Sequence, residues 1–251
     1  YIDPLTRTMK TSDTKWFDEI SQPAFSQNYD VSVLHGTEKA NAMFSINYTD
    51  NQGIVKTTDF SRISARLNTD FKMLNNKLKV GENFTLSTTS EVQDPGVLNP
   101  SLQALPIIPV HTVDGIGWGG PYGGMNDRQN PVRLLEDNKQ NHYNFLRLFG
   151  NAYADLEIFK NLHFKSSFGL DYGEYYKRDM QLSYVSGYLN NPINSVTSIQ
   201  SHSKKLSWTN TLNYNIKLGN HVFDAVAGSE RFKQNDDNFW AKRQVFVSED
   251  P

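Results

Sequence analysis

Gly115-Ile116-Gly117-Trp118-Gly119-Gly120 satisfies the spacing of a dinucleotide-binding fingerprint, in which glycines let the backbone approach a pyrophosphate at a helix N-terminus. Pro121, Tyr122, Gly123 and Gly124 follow, which is loop chemistry where that mechanism needs a helix to open. The six histidines (His35, His111, His142, His163, His202 and His221) fall in no metal-ligand spacing, and cysteine is absent, so zinc chemistry is not expected. No serine occupies a G-x-S-x-G elbow. Asp155, Glu157 and Asp171 fall among alternating polar positions, where a solvated wall is the simplest reading. No catalytic constellation stands out, no cofactor is implied, and the chain does not read as an enzyme.

The remaining candidate is a long aromatic and glycine-rich segment, residues 90–141. It carries Leu105-Pro106-Ile107-Ile108-Pro109-Val110, Trp118 and Tyr122, too apolar a mixture for disorder. Two readings are open: a self-packed lid, or a surface that contacts substrate or partner. Under the second, Trp118 and Tyr122 supply ring faces, and Asn126, Asp127 and Arg128 supply polar handles.

The elements that would position this segment are strands. In residues 62–73, Ile63, Ala65, Leu67, Phe71 and Met73 share one parity, and Arg62, Ser64, Arg66, Asn68, Asp70 and Lys72 share the other. A buried helix would want apolar residues at Arg66 and Asp70, so the period is two. The same alternation recurs at 29–35, 40–48, 78–88, 146–158, 162–172, 206–216 and 222–231. This gives an all-β chain: an antiparallel meander of about eight strands, many of about 12–16 residues against a usual ~5–6. Long strands with one apolar face fit the wall of a transmembrane barrel. Short links (36–39, 74–77, 159–161, 218–220) alternate strictly with long ones (49–59, 89–141, 177–202). A membrane barrel does this, with tight turns on one side and long loops on the other. Asn75-Asn76 suits a tight hairpin turn.

Local helices are expected only in links. Asn99-Pro100 and Asn130-Pro131 read as N-cap followed by first-turn proline, and residues 14–20 read as a short helix with Trp16, Phe17 and Ile20 as its apolar side. With 25 basic and 27 acidic residues, the formal charge of −2 gives no reason to expect nucleic acid. The start at Tyr1 and the stop at Asp250-Pro251 read as cut ends.

Trp16-Phe17-Asp18-Glu19-Ile20, followed by Gln27-Asn28-Tyr29-Asp30-Val31-Ser32-Val33, resembles the plug-to-barrel junction of SusC/RagA-family outer-membrane proteins. Phe44 to Tyr48 with Asp50-Asn51-Gln52-Gly53-Ile54-Val55 resembles their next hairpin. Residues 117–121 and 125–133 resemble a stretch typical of one branch of that family. Leu34-His35-Gly36 departs from the commonest form, in which small residues lead into the turn.

The resemblance implies a junction over residues 1–25, then a partial barrel over 26–251 with residues 90–141 as an extracellular loop. It implies membership of a barrel of about 22 strands in the outer membrane. It also implies an active importer of glycans or peptides, working with a SusD-like surface lipoprotein and driven by a TonB complex through an N-terminal part this chain lacks. A piece of this size could not transport alone. Two alternatives share some of these features: a passive porin wall, and a soluble secreted carbohydrate-binding β module.

Overall fold

The structure, a computed structural model, describes residues 12–247. Eight strands form one antiparallel sheet: β1 (Ser26–Gly36), β2 (Ala40–Gln52), β3 (Asp59–Met73), β4 (Leu78–Val92), β5 (His142–Phe159), β6 (Leu162–Gln181), β9 (Ser195–Leu218) and β10 (His221–Gln244). Each pairs with the next in sequence, except that β6 reaches β9 across a small hairpin, β7 (Tyr184–Ser186) and β8 (Leu189–Asn191). The alternation had not disclosed that hairpin, because three-residue strands carry no readable period. β1 and β10 do not pair with each other, so the sheet is open and each has a free edge.

The two faces divide as the parity requires. Arg66, Arg147, Asp171 and Lys205 line one shared hollow, which makes their face the concave one. The opposite parity carries Ile63, Leu67, Phe71, Leu156, Phe164, Phe168 and Leu212, all more than a third exposed. The row that begins at Val31 passes through Ile46, Ala65, Leu86 and Leu148, then continues through Tyr172 and Lys204 to Asn235. On β10 the run of outward apolar positions, Phe223, Ala225 and Ala227, instead lies towards the short turns, with Phe239 and Ala241 standing apart from it near the loop end. The apolar band thus slips by about ten residues across the sheet, which corresponds to strands tilted by roughly 45°, as in a membrane barrel.

β9 and β10 are each 24 residues long. About 9–11 tilted residues suffice to cross a bilayer. The run of outward apolar positions on β9 spans Leu206 to Leu218, so its residues 195–205, with Val196 as their one outward apolar side chain, extend the wall beyond the band on the long-link side. At the short turns, Leu74, Asn75 and Asn76 all take positive φ, as do Asn161 and Gly219. Asn75-Asn76 makes the expected tight turn.

The long links, together with the segment before β1, fold into a cap. It holds α1 (Trp16–Ile20), α2 (Leu98–Gln103) and α3 (Pro131–Asn138). Ile20, Val97 and Leu135 form its buried core, with Val55, Val132 and Leu134 against them. Trp16 donates its indole N–H to the Leu105 carbonyl (3.0 Å). The Asn130 side chain caps α3, accepting from the Val132 and Arg133 amides at 3.0 and 3.2 Å.

Three sequence expectations need correction here. Phe17 is 54% exposed, because α1 lasts only five residues and buries a single stripe, Trp16 and Ile20. Asn99 does not cap α2, which starts one residue earlier; the Asp94 carboxylate takes the Gly96 and Val97 amides instead. Thr14 lies outside α1, and its hydroxyl bonds the Ile108 carbonyl at 2.7 Å. Of the expected junction, residues 1–11 lie outside the described residues. Residues 12–25 join the cap and lead into β1 from the long-link end, where Ser26 pairs with Asn51.

An outward face this apolar, with two open edges, makes a first expected result. The 251-residue chain expressed alone in plain buffer should aggregate. Sedimentation measures this, and a monodisperse monomer would favour the soluble-module alternative.

Candidate functional site

The concave wall offers a polar hollow of about 720 Å³. β5 and β6 set Arg147 and Asp171 diagonally across from each other. The guanidinium forks the carboxylate through Nε and Nη2 at 2.8 and 2.9 Å. Lys205 stands opposite Asp171 on β9, and Phe149 beside the guanidinium, 5.2 Å from ring centroid to Cζ. Arg66 donates to the Thr85 hydroxyl at 3.3 Å, and Asn151 reaches the Ser167 hydroxyl at 3.1 Å. Such a surface can exchange hydrogen bonds with hydroxyls or amides and stack a ring. It offers no activated nucleophile. Among the described residues, no three His, Cys, Asp or Glu side chains are placed to share a metal ion. No helix there is long and apolar enough to cross a membrane, which says nothing of strands.

Above the wall, the loop segment and the β7–β8 hairpin lock together. The Gly119 carbonyl accepts from the Ser186 hydroxyl (2.8 Å) and from the Asn130 side-chain amide (2.9 Å). The Tyr188 amide donates to the Pro121 carbonyl at 2.9 Å. Any Cβ at Gly120 would meet the Ser186 carbonyl carbon at 2.1 Å, so glycine is required by close approach. The fingerprint-like run is therefore a small hairpin and a packing seam, not a helix N-terminus. At its tip the Thr112 hydroxyl and then the Ile116 amide hold the Asp114 carboxyl below its usual range.

The five residues singled out by sequence meet different fates. Trp118 is half-buried, stacked on His111 with centroids 4.7 Å apart and bridged to Ser186. Tyr122 is exposed. Asn126 is tied down, its amide donating to the Gln103 carbonyl at 2.7 Å. Asp127 and Arg128 face solvent, 3.7 Å apart. The structure brings these residues onto one loop but not into one cleft.

Sequence reasoning missed the hollow itself and a second one of about 450 Å³. The second is lined by Arg133, Asp137, Asp179, Thr197 and Lys242, between α3 and the extended ends of β6, β9 and β10. Arg133 is 2% exposed there, bonded to Asp137 and Gln129, with the Tyr184 ring 3.6 Å away. The one available signal was Phe145 and Phe149, apolar residues on the otherwise polar parity of β5.

No protein-family model matches the chain. Two curated relatives do. TonB-dependent receptor SusC of Bacteroides thetaiotaomicron is 26% identical over 253 residues, covering 91% of this chain and 25% of the relative. TonB-dependent receptor P26 of Formosa agariphila is 27% identical over 224 residues, covering 85% and 22%. The chain thus spans about a quarter of the length of the curated relatives it matches. Among solved structures, the RagAB peptide importer superposes with TM-scores of 0.78 in its open-open state and 0.77 in its closed-closed state. Identity is 20%, over 98% of this chain and 28% and 29% of that one. At that identity the superposition establishes the fold: an antiparallel meander matching a stretch of that barrel wall. The likeness to SusC and P26 extends over most of the sequence.

Proposed function

We propose that this chain is a wall segment of a SusC/RagA-type TonB-dependent importer of the outer membrane. In this reading residues 26–251 contribute part of a 22-stranded barrel. Residues 90–141 lie outside the cell, and residues 1–25 lead into the wall. The observation that carries the reading is the tilted apolar band on the convex face, set against a polar concave face with every long link gathered at one end. The named relatives support the same class. The cargo is a glycan or peptide, captured with a SusD-like lipoprotein, and TonB supplies the energy. The experiment is uptake by cells carrying the full-length gene or its deletion, with and without a proton uncoupler. Loss of accumulation on deletion and on uncoupling is expected. Uptake that persists with the uncoupler would instead identify a passive pore.

For the loop, Trp118 through its open edge, Tyr122, Asp127 and Arg128 are the proposed contacts with cargo or lipoprotein. Asn126 shapes the loop beneath them. Trp118→Ala in the full-length importer should weaken that binding by about 2 kcal/mol, the scale of an aromatic hot spot, without changing heat-modifiable gel migration. His111→Ala separates contact from packing. If it costs as much as Trp118→Ala, the indole serves the stack and not the ligand.

A further inference from the structure

We propose that the outward face of β9 and β10, just loop-side of the apolar band, binds the phosphate of a lipid headgroup through Lys204, Arg231 and Lys233. Arg231 stands opposite Trp208, Lys233 opposite Leu206, and Lys204 opposite Asn235. All three cations share the parity of Phe168 and Trp208, Lys204 is exposed, and none has a carboxylate partner among the described residues. Diagonal neighbours on one face of a sheet lie about 7–8 Å apart, within the joint reach of two long basic side chains for one phosphate.

Beneath the cations is a notch of about 180 Å³, lined by Phe168, Leu206, Trp208, Arg231 and Lys233. Trp208 donates its indole N–H to the Ser166 hydroxyl at 3.0 Å, which turns the ring towards the band and away from the loops. Rings and Leu206 therefore sit where acyl chain would lie, and cations sit where a headgroup begins. Tryptophan at such a boundary and basic residues beyond it is how proteins meet the interface of a bilayer. The outward carboxylates further towards the loops are engaged: Asp237 lies 3.1 Å from His202, and Glu174 accepts from Gln200 at 3.1 Å. The described lining of the notch itself holds Arg231 and Lys233 and no carboxylate, so the charge complements an anion and the notch complements a chain. Free phosphate would use only the first.

This inference rests on the convex face meeting lipid. The test uses the full-length protein, extracted in neutral detergent, stripped of lipid and titrated with micelles doped with lipid A. The same lipid after phosphatase treatment and inorganic phosphate are the comparison probes. The intact lipid should bind, the dephosphorylated lipid should bind roughly tenfold more weakly or worse, and millimolar inorganic phosphate should fail to compete. R231Q/K233Q should lower affinity by a similar factor, and K217Q on the inward parity of the same sheet should not. Equal binding of the two lipids, full competition by phosphate, or an unaffected double variant would each overturn the site. The lipid comparison needs no variant, so it stands even where a substitution blocks assembly. A full-length protein that fractionates as soluble overturns the importer reading. An intact barrel indifferent to lipid phosphate overturns only this site.

Discussion

Leu67→Arg in the intact barrel should cost roughly 2–4 kcal/mol of folding free energy in lipid, and Arg66→Leu, one residue away, should cost far less. Leu67 points outward on β3, with Phe44 and Phe84 opposite it on the two neighbouring strands. It lies amid the apolar run from Ile63 to Met73, so an arginine there must leave its charge in hydrocarbon or bend towards an interface. Arg66 points into the concave hollow, where its one assigned partner is the Thr85 hydroxyl. Replacing it removes a solvent-exposed hydrogen bond, worth about 1 kcal/mol or less. Refolding titrations into vesicles measure both. Equal losses would mean the two faces have been exchanged.

That contrast depends on the feature most legible in the sequence. A period of two fixes which residues share a face, and a one-residue slip would reverse every assignment, so Ile63, Leu67, Leu156, Phe164 and Leu212 could be placed without coordinates. The turn at Asn75-Asn76 was legible for a similar reason, because asparagine tolerates the positive φ that a tight turn needs. What lay outside the reach of periodicity was anything made by contact between distant links. The pairing of Ser186 with Gly119 depends on how two loops meet. Neither loop carries a pattern that names its partner. The hollow around Arg147 and Asp171 was half legible. Both side chains could be assigned to the polar face, but their diagonal pairing needs the register between β5 and β6. Asn126 shows the opposite error, a polar residue in a suggestive loop that spends its amide on the backbone of Gln103.

Leu135→Ala should open the cap while leaving the wall intact. Leu135 is 1% exposed and forms one contiguous buried cluster with Ile20 and Val97 among the described residues. Truncating a buried leucine typically costs about 2–5 kcal/mol. A core this small has little stability to lose, so the substitution should shift the local opening equilibrium without unfolding the whole. α1 comes from the segment before β1, and α2 and α3 come from opposite ends of the β4–β5 link, so Ile20, Val97 and Leu135 tie distant stretches of chain together. Their opening should therefore be shared: amide exchange should accelerate together across residues 16–20, 98–103 and 131–138. Amides in the middle of β3 to β6 are held by ladders on both sides and should keep their protection. Heat-modifiable migration should be unchanged, and binding that depends on Trp118 or Tyr122 should weaken with the cap. Faster exchange confined to residues 131–138 would show that α3 opens alone, and that the helices do not form one cooperative unit. Faster exchange throughout the sheet would show that the cap is part of what holds the wall together.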